Sequence, residues 1–383
     1  MKRLVMPVLL LALLCGCTSS PETIGTQPTV EDIFVPPTTT AAPISPDATE
    51  PQDITDMFPG LPSPLGGGGS GLTTPMERDE NGRKCYEYHG GEMAVSFWAE
   101  GNGVFLETGV GFLLFTDGIP QPYRVSEDGE YSYLHTFDME DYTLSTQDPG
   151  DYRLDVTFLF EPVAGKQGDY IECVIVKLNY PDYSPAAVAD KSARPYTLIQ
   201  GGAYRSMFVL KCMEDPPETE LIPVQERLYD LDVTKVDTTY AEVSGWSGDD
   251  YLKDIRTNVF VCDFDAIYHA DIYKVTKEHE ITLRFEIWGS PLVRYRLVYF
   301  MNNQPVSVAE ENIIDITVEQ GKKTIVTAKL DISDFDKEAS IYCILVARNR
   351  LEYGAAAGQA ASGAYSYFWL HEHGSAIPGY GEL

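Results

Sequence analysis

Residues 111–125, Gly-Phe-Leu-Leu-Phe-Thr-Asp-Gly-Ile-Pro-Gln-Pro-Tyr-Arg-Val, decide the fold. An apolar run leads into Asp117-Gly118, a dipeptide that suits the positive φ angles of a tight hairpin turn. Pro122 places the returning run at an edge or at the start of a strand, because proline has no N–H for a central ladder. The same order recurs in residues 295–308, Tyr-Arg-Leu-Val-Tyr-Phe-Met-Asn-Asn-Gln-Pro-Val-Ser-Val, around Asn302-Asn303. The chain therefore contains two similar β-hairpins.

Four further segments repeat in the same order around these hairpins. The matches are 92–97 with 280–285, 153–160 with 324–330, 170–176 with 340–346, and 202–208 with 363–369. Between turn residues, short runs of Val, Ile, Tyr, Phe and Thr alternate with polar residues, which is typical of strands. We predict an all-β chain, with two tandem immunoglobulin-like antiparallel β-sandwich domains after a disordered linker. The disulfide and core tryptophan of antibody domains are not evident, so the prediction concerns the architecture and not that family.

Composition indicates the domain boundaries. Residues 18–75 are rich in Pro, Thr, Ser and Gly and carry seven acidic residues but no Lys or Arg. Such a segment buries too little apolar surface to offset its ordering entropy. We predict a signal segment over 1–16, a linker over 17–75, a first sandwich over 76–215 and a second over 216–383. The last part includes a joining segment with two strand-like runs, 228–236 and 258–264, whose domain is left open.

The charge of the chain excludes one class of partner. With 28 basic and 58 acidic residues, the formal net charge is −30. Nucleic acid and anionic lipid headgroups are therefore not expected as ligands, because phosphate binding requires clustered Lys and Arg. Cationic ligands and metal ions are compatible with this surface.

Five cysteines lie beyond the N-terminal region, at positions 85, 173, 212, 262 and 343. An odd number leaves at least one thiol unpaired, and the spacing matches neither a zinc ribbon nor a redox CxxC motif. Cys173 and Cys343 lie inside apolar runs. We therefore expect reduced cysteines that pack as small apolar residues in the core.

The first seventeen residues form a recognisable signal. Met1-Lys2-Arg3 is followed by an apolar run from Leu4 to Leu14, and the segment ends in Leu14-Cys15-Gly16-Cys17. This segment resembles the type II signal peptide of bacterial lipoproteins, whose lipobox has an aliphatic residue three positions before the cysteine and a small residue just before it. The resemblance implies that Cys17 receives a diacylglyceryl thioether and becomes the mature N-terminus. It also implies an extracytoplasmic location, anchored to the cell membrane by lipid.

Two other interpretations of this segment fit less well. An uncleaved transmembrane anchor needs about 20 apolar residues, and this run is much shorter and contains Pro7. An ordinary secretory signal needs a small-x-small cleavage site, which Leu14-Cys15-Gly16 matches poorly.

Metal-binding candidates are few. In a strand, His371 and His373 would point to the same face, so both imidazoles could reach one metal ion, with His269 or His279 as possible further ligands. Asp331–Asp334–Asp336 and Asp263–Asp265 offer closely spaced oxygens for calcium, but they lack the glycine and distal glutamate of an EF-hand loop. The alternative is ordinary surface histidines and turn aspartates.

Neither a catalytic motif of recognised form nor a nucleotide-binding fingerprint occurs in the sequence. We therefore expect no enzymatic activity and no cofactor.

The aromatic residues suggest a binding role. Trp246, within Ser-Gly-Trp-Ser-Gly, lies in a loop-like segment where a large ring has little reason to be buried, so it is the candidate ligand-binding residue. Trp98, Trp288 and Trp369 lie in strand patterns and are expected in the core. The sequence thus predicts a surface binding protein for a glycan or a protein. The alternatives are an accessory lipoprotein of an envelope complex and an enzyme whose site no motif reveals.

Overall fold

The computed structural model describes residues 68–101, 110–138, 152–179, 181, 204–217, 224–239, 255–262, 272–275, 281–289, 291, 294–308, 312–333, 338–348 and 363–372. Its strands, numbered in chain order, are β1 Gly68–Leu72, β2 Glu77–Arg78, β3 Lys84–Tyr88, β4 Met93–Gly101, β5 Val110–Thr116, β6 Ile119–Gln121, β7 Leu134–Phe137, β8 Tyr152–Phe160, β9 Tyr170–Asn179, β10 Tyr204–Cys212, β11 Gln225–Asp237, β12 Ile255–Cys262, β13 Ile272–Val275, β14 Ile281–Gly289, β15 Arg294–Met301, β16 Gln304–Val308, β17 Ile314–Thr317, β18 Lys322–Leu330, β19 Glu338–Ala347 and β20 Gly363–Glu372. In these ranges, no helix has the length and apolar character needed to cross a bilayer.

The first sandwich consists of two sheets. A three-stranded sheet has the order β1-β4-β8, and a larger sheet has the order β2-β3-β10-β9-β5-β6, with β7 paired to β5. All of these pairs are antiparallel except β3 with β10, which is parallel. The two sheets pack over one apolar core, which includes Phe97, Phe112 and Phe158 in edge-to-face contact.

Nine of the ten described strands of the second sandwich repeat this plan. β12-β14-β18 corresponds to β1-β4-β8, and β16-β15-β19-β20 corresponds to β6-β5-β9-β10. β17 pairs with β15 as β7 pairs with β5, and β13 lies parallel to β20 as β3 lies parallel to β10. The predicted fold class, two tandem immunoglobulin-like sandwiches, is confirmed, with these parallel pairs as additions to the antiparallel plan.

β11 belongs to the second sandwich and joins its two sheets. It lies parallel to β16 at its start and then antiparallel to β18. All described strands of the second sandwich therefore form one ten-stranded sheet that folds over a single core. Both strand-like runs of the joining segment, in β11 and β12, are part of this sheet.

Both predicted hairpin turns have the expected backbone. The φ angles are 50° at Asp117 and 76° at Gly118, and 49° at Asn302 and 63° at Asn303. Two successive positive φ angles define a type I′ turn, which matches the right-handed twist of the strands it joins.

Strand pairing corrects the alignment of the repeats. Measured from the equivalent turns, Thr116 corresponds to Met301; Thr116 pairs with Cys173, and Met301 pairs with Ile341. Cys173 therefore corresponds to Ile341, two residues from the predicted match to Cys343. A shift of two residues leaves every side chain on its predicted face.

The last predicted match is wrong by one residue. Phe208 pairs with Cys173, and Phe368 pairs with Ile341, so Phe208 corresponds to Phe368 and not to Trp369. A shift of one residue reverses the face, and His371 therefore corresponds to Lys211 rather than to Leu210.

The predicted linker is too long at its carboxyl end. Gly68–Leu72 forms β1 and pairs with β4. The backbone of the glycine run supplies ladder hydrogen bonds, and its small residues let the strand lie against Trp98, so low hydrophobicity did not prevent order here. Residues 17–67 and the signal segment lie outside the described residues.

A third apolar cluster, the inter-sandwich core, joins the two sandwiches. It contains Leu113, Phe115, Val174, Val176 and Leu178 from β5 and β9, and Val298, Phe300, Tyr342, Ile344 and Val346 from β15 and β19. Each residue of the first set has its structural equivalent in the second set under the corrected alignment. Phe115 and Phe300, which are equivalent positions, touch edge to face with ring centroids 6.2 Å apart. The interface is therefore approximately twofold symmetric, like that of a homodimer.

Polar contacts from the two hairpin turns flank the inter-sandwich core. Asp117 accepts from the guanidinium of Arg348 at 2.8 Å and from that of Arg296, and Asp315 binds both arginines. At the other turn, the Asn303 side-chain amide donates to the Pro181 carbonyl at 2.9 Å. The hairpin turn of each sandwich thus contacts the other sandwich.

The four described cysteines outside β12, at positions 85, 173, 212 and 343, are free and buried, as the sequence predicts. Burial raises the pKa of the Cys212 thiol to about 11 and raises those of Cys173 and Cys343 further. Because the thiolate is the reactive form, these thiols should be inert in the folded protein.

We predict that iodoacetamide at mildly alkaline pH leaves Cys173, Cys212 and Cys343 unmodified in the native protein and alkylates all three in concentrated guanidinium chloride. Peptide mass mapping measures this. Alkylation of Cys173 or Cys343 under native conditions would contradict the buried placement.

We predict that Phe115→Ala and Phe300→Ala each lower the free energy of unfolding by about 3–5 kcal/mol, because each removes a buried ring from a core that does not collapse around the cavity. Urea unfolding measures the change. The control is Val236→Ala, whose side chain is exposed, with an expected loss below about 1 kcal/mol. A loss as small as the control's at both phenylalanines would show that the two sandwiches do not share a core.

Candidate functional site

The outer surface of the sheet β1-β4-β8, here called the Trp98 face, is a candidate binding surface. Along β4, Val95, Phe97 and Ala99 are buried in the first core. Their neighbours Trp98 and Glu100 point the opposite way, because successive side chains of a strand alternate between faces. One side of this sheet is therefore packed and the other meets solvent, as antiparallel sheets allow.

Two neighbours fix the Trp98 indole. Gly71 lies directly opposite Trp98 on β1, and a Cβ added there would lie 3.2–3.4 Å from three indole atoms. Glycine at this position thus lets the ring lie close against β1. From β8, the guanidinium of Arg153 lies over the indole, 4.9 Å from the ring centroid, in cation–π geometry.

Polar groups surround the ring. Arg153 binds Glu100 at 3.1 Å and Asp155 at 3.3 Å. The Ser96 and Thr157 hydroxyls are 3.0 Å apart on the same two strands. The three charged side chains are about half exposed, so their ion pairs contribute little to stability. Their effect is to orient hydrogen-bonding groups beside an aromatic surface.

The second sandwich carries the same three chemical groups on its equivalent face. Glu286 and Trp288 stand on β14 where β4 has Trp98 and Glu100, so the ring and the carboxylate exchange places. Lys323 Nζ lies 2.9 Å from Glu286 and 5.6 Å from the Trp288 ring centroid. Here, however, Trp288 is only 5% exposed and Glu286 only 4%. Of the two tryptophan–carboxylate pairs, only Trp98 with Glu100 is partly exposed to solvent.

A carboxylate near the start of β4 has a structural role instead. Glu92 accepts two hydrogen bonds from Arg124, each 2.7 Å, and a third from the Tyr131 hydroxyl. The Arg124 hydrogen bonds hold the pKa of Glu92 below its usual range, and burial followed by the Glu92 contact raises the pKa of Tyr131 to about 12. With its acceptors occupied, this carboxylate ties the loop before β7 to β4.

A second saturated cluster closes the β2–β3 loop. Asp79 accepts from the backbone N–H groups of Asn81 and Arg83 and from the Tyr170 hydroxyl. The hydrogen bond from Tyr170 is the main cause that lowers the pKa of Asp79. Lys211, nearly buried, binds Glu80 beside it. These groups satisfy one another and leave no reactive pair.

Most of the predicted metal-binding, ligand-binding and lipidation residues lie outside the described residues. These are Trp246, His373, Cys17 and the candidate further metal ligands His269 and His279. His371 lies on β20, with its backbone opposite Glu338 on β19. The described residues contain no cluster of three or more metal-ligating side chains.

Of the aspartates predicted as calcium ligands, only Asp331 is among the described residues. Asp331 accepts from the Ser333 N–H at 2.9 Å, the local turn contact typical of aspartate. The other four aspartates proposed with it lie outside the described residues.

Trp98 is the functional candidate that the sequence analysis placed wrongly in the core. Trp288 is buried as expected, and the side chain of Trp369 is outside the described set. The signal for Trp98 was present in the alternation of β4, where the ring shares its face with Ser96 and Glu100 rather than with Phe97.

The sequence matches no protein-family model and no curated protein sequence. Among solved structures, it resembles the C-terminal domain of the Streptococcus agalactiae AgI/II polypeptide BspA, with 9% identity, 80% of this chain and 100% of that chain covered, and a TM-score of 0.20. It also resembles the C-terminal domain of the Streptococcus pyogenes antigen I/II-family protein AspA, with 10% identity, 80% and 99% covered, and a TM-score of 0.19. A chimeric titin Z1Z2-Z1Z2 tandem gives 10% identity, 79% and 99% coverage, and a TM-score of 0.16. At such TM-scores these likenesses support no argument about function.

Proposed function

We propose that this protein is a lipid-anchored, non-enzymatic binding protein outside the cytoplasmic membrane, whose Trp98 face binds a glycan. The anchor is supported by the lipobox ending in Cys17. Two acyl chains suffice for stable attachment, because each buried methylene contributes about 0.8 kcal/mol and one chain alone binds only marginally. The Pro- and Gly-rich linker then holds the sandwiches at a distance from the bilayer.

The observation that carries the glycan assignment is the half-buried Trp98 ring among oriented polar groups. A flat aromatic ring packs against the C–H face of a sugar, and donors and acceptors at its margin select the hydroxyls. Arg153 offers donors, whereas Glu100 and Asp155 offer acceptors, so both kinds of partner are present around one ring. The surrounding strands keep these groups at fixed spacing without an ordering cost on binding.

We predict that the mature lipoprotein in detergent binds at least one member of a glycan and peptidoglycan panel, and that Trp98→Ala weakens this binding at least tenfold, about 1.4 kcal/mol. Isothermal titration calorimetry measures the affinity. Tyr229→Ala, which truncates an exposed aromatic residue of the second sandwich, is the matched control and should bind normally.

Other outcomes of the same panel identify the competing functions. Loss of binding with Trp246→Ala but not with Trp98→Ala would move the site to the loop candidate. Absence of any glycan ligand, together with a specific protein cross-linked in intact cells, would establish an accessory protein of an envelope complex. Measured turnover abolished by one acidic or histidine substitution would establish an enzyme.

We predict that Cys17→Ala abolishes lipid modification and releases the protein from the membrane fraction, because the thioether has no other attachment point. Metabolic labelling with a fatty-acid analogue and cell fractionation measure this. Cys15→Ala is the matched control and should be labelled normally. Unchanged labelling and membrane retention in Cys17→Ala would refute the anchor.

A further inference from the structure

The exposed apolar surface of the described residues is concentrated on one strand. Of five exposed large hydrophobic side chains, four lie on β11: Tyr229 at 37%, Leu231 at 38%, Val233 at 44% and Val236 at 39%. All residues from Tyr229 to the end of β11 are exposed. Because successive side chains of a strand alternate between faces, Val233 and Val236 lie on opposite faces, so the exposed apolar side chains flank the backbone of β11 on both sides.

β11 also has an open edge. Only its first residues, Gln225 to Leu228, pair with β16, whereas its pairing with β18 continues to Asp237. Beyond Leu228, no strand of the described part of the chain pairs with the edge of β11 that faces away from β18.

The direction of the free backbone groups follows from one hydrogen bond. The Thr238 N–H donates to the Gly321 carbonyl at 3.0 Å, on the β18 side. Because the ladder groups of a strand alternate in direction, the N–H and C=O groups of Val233, Lys235 and Asp237 point towards the open edge. The N–H and C=O groups of these three alternate residues have the spacing that is needed to pair with an added strand.

The usual protection of an edge strand is weak here. Natural proteins protect an edge strand from pairing with another chain by a proline, a β-bulge, a short strand or a lysine that projects from the edge. β11 has thirteen residues and no proline, and its bulge, between Tyr229 and Asp232, lies at the start of the open part, before Val233, Lys235 and Asp237. Its one lysine in this part, Lys235, is bound to Glu319 at 2.6 Å and to Thr317 at 3.1 Å, so its charge is held against its own sheet.

Among the described strands, the first sandwich has no counterpart of β11. The nine other strands of the second sandwich each have an equivalent in the first, where β8 forms the end of its sheet. The plan shared by the repeats is therefore complete without β11, and the exposed part of β11 covers no core. A structural role does not explain its apolar side chains.

We infer that the open edge of β11 binds an extended segment of a partner protein in which apolar residues alternate with Lys or Arg. Val233 on one face of β11 and Val236 on the other each offer an apolar contact to a strand added at this edge. The residues Tyr229 to Asp237 include three aspartates, of which Asp230 is paired with Lys329 of β18 at 3.1 Å. Asp232, Asp237 and the net charge of −30 of the chain make a basic segment complementary.

The same charge argument excludes the occupants that this chain itself could supply. A second copy would bring three more aspartates to the same edge, where like charges on adjacent strands are unfavourable. Residues 18–75 carry seven acidic residues and no Lys or Arg, so the linker is no better. This interaction is independent of glycan binding on the Trp98 face.

The test uses the mature lipoprotein in detergent and a synthetic peptide, Thr-Lys-Val-Lys-Val-Lys-Val-Thr, as the probe. We expect saturable binding by fluorescence anisotropy, with hydrogen exchange at the amides of Val233, Lys235 and Asp237 slowed at least tenfold. The same peptide with Glu in place of Lys should bind at least tenfold more weakly.

Two variants distinguish binding of the probe as an added β-strand from binding by non-specific charge attraction. Val233→Pro removes one edge donor and leaves the bonds to β18 in place, so it should weaken binding of the probe at least tenfold. Val233→Thr keeps the N–H and the β-branched shape and should bind normally. Trp98→Ala should have no effect on the probe.

Each contrary result overturns the proposal. Equal affinity for the acidic and basic peptides would remove the charge argument, and equal affinity of Val233→Pro and Val233→Thr would show that no strand is added. Absence of slowed exchange at saturating probe has the same meaning. Dimerisation of the protein alone, detected by sedimentation and abolished by Val233→Pro, would identify a second copy as the occupant.

Discussion

The apolar contact between equivalent faces of the two sandwiches is the constraint on which the rest of the structure depends. Five residues from β5 and β9 meet their five equivalents from β15 and β19. The sheets that contain β5 and β9 or β15 and β19 each pack one face against the core of their own sandwich. Their other faces pack against each other, so both sheets are buried on two sides. The result is four layers, with β1-β4-β8 at one end and the sheet containing β12-β14-β18 at the other.

This layering determines which surfaces remain for binding. The inner sheets are covered on both faces, so a ligand meets the outer sheets, their edges and the loops. On the first sandwich, the outer sheet is open and carries Trp98 beside Arg153. On the second sandwich, the corresponding groups, Trp288 and Lys323, surround a buried carboxylate, Glu286. The same chemistry therefore serves packing in one repeat and is accessible in the other.

The sequence predicted the fold where local chemistry is decisive, and it failed where two-sided burial removes the signal. Asp117-Gly118 and Asn302-Asn303 specify their turns through backbone conformation alone, so both were predicted correctly. β9 and β19 are buried on both faces, so they lack the alternation from which register is inferred, and their match was displaced by two residues. β1 was missed because its order comes from pairing with β4 and from the close contact of Gly71 with Trp98, neither of which a composition-based argument detects. Trp98 itself was assigned to the core from residue type, although the alternation of β4 indicated the opposite face.

Covalent linkage of the repeats explains why their exposed surfaces differ while their contact remains symmetric. In a twofold dimer, a substitution occurs on both subunits at once, so an open edge or an aromatic face would appear twice. In a single chain, the contact is maintained by a high effective concentration, and each repeat can change alone outside it. Phe115 and Phe300 touch each other, so a substitution at either position changes the packing of both side chains. Trp98 and Trp288 do not occupy equivalent positions: Trp98 corresponds to Glu286, and Trp288 to Glu100. β11 has no equivalent among the described strands of the first sandwich. The proposed binding surfaces therefore lie where the symmetry of the two repeats is broken, and the symmetric part of the molecule is the scaffold that holds them apart.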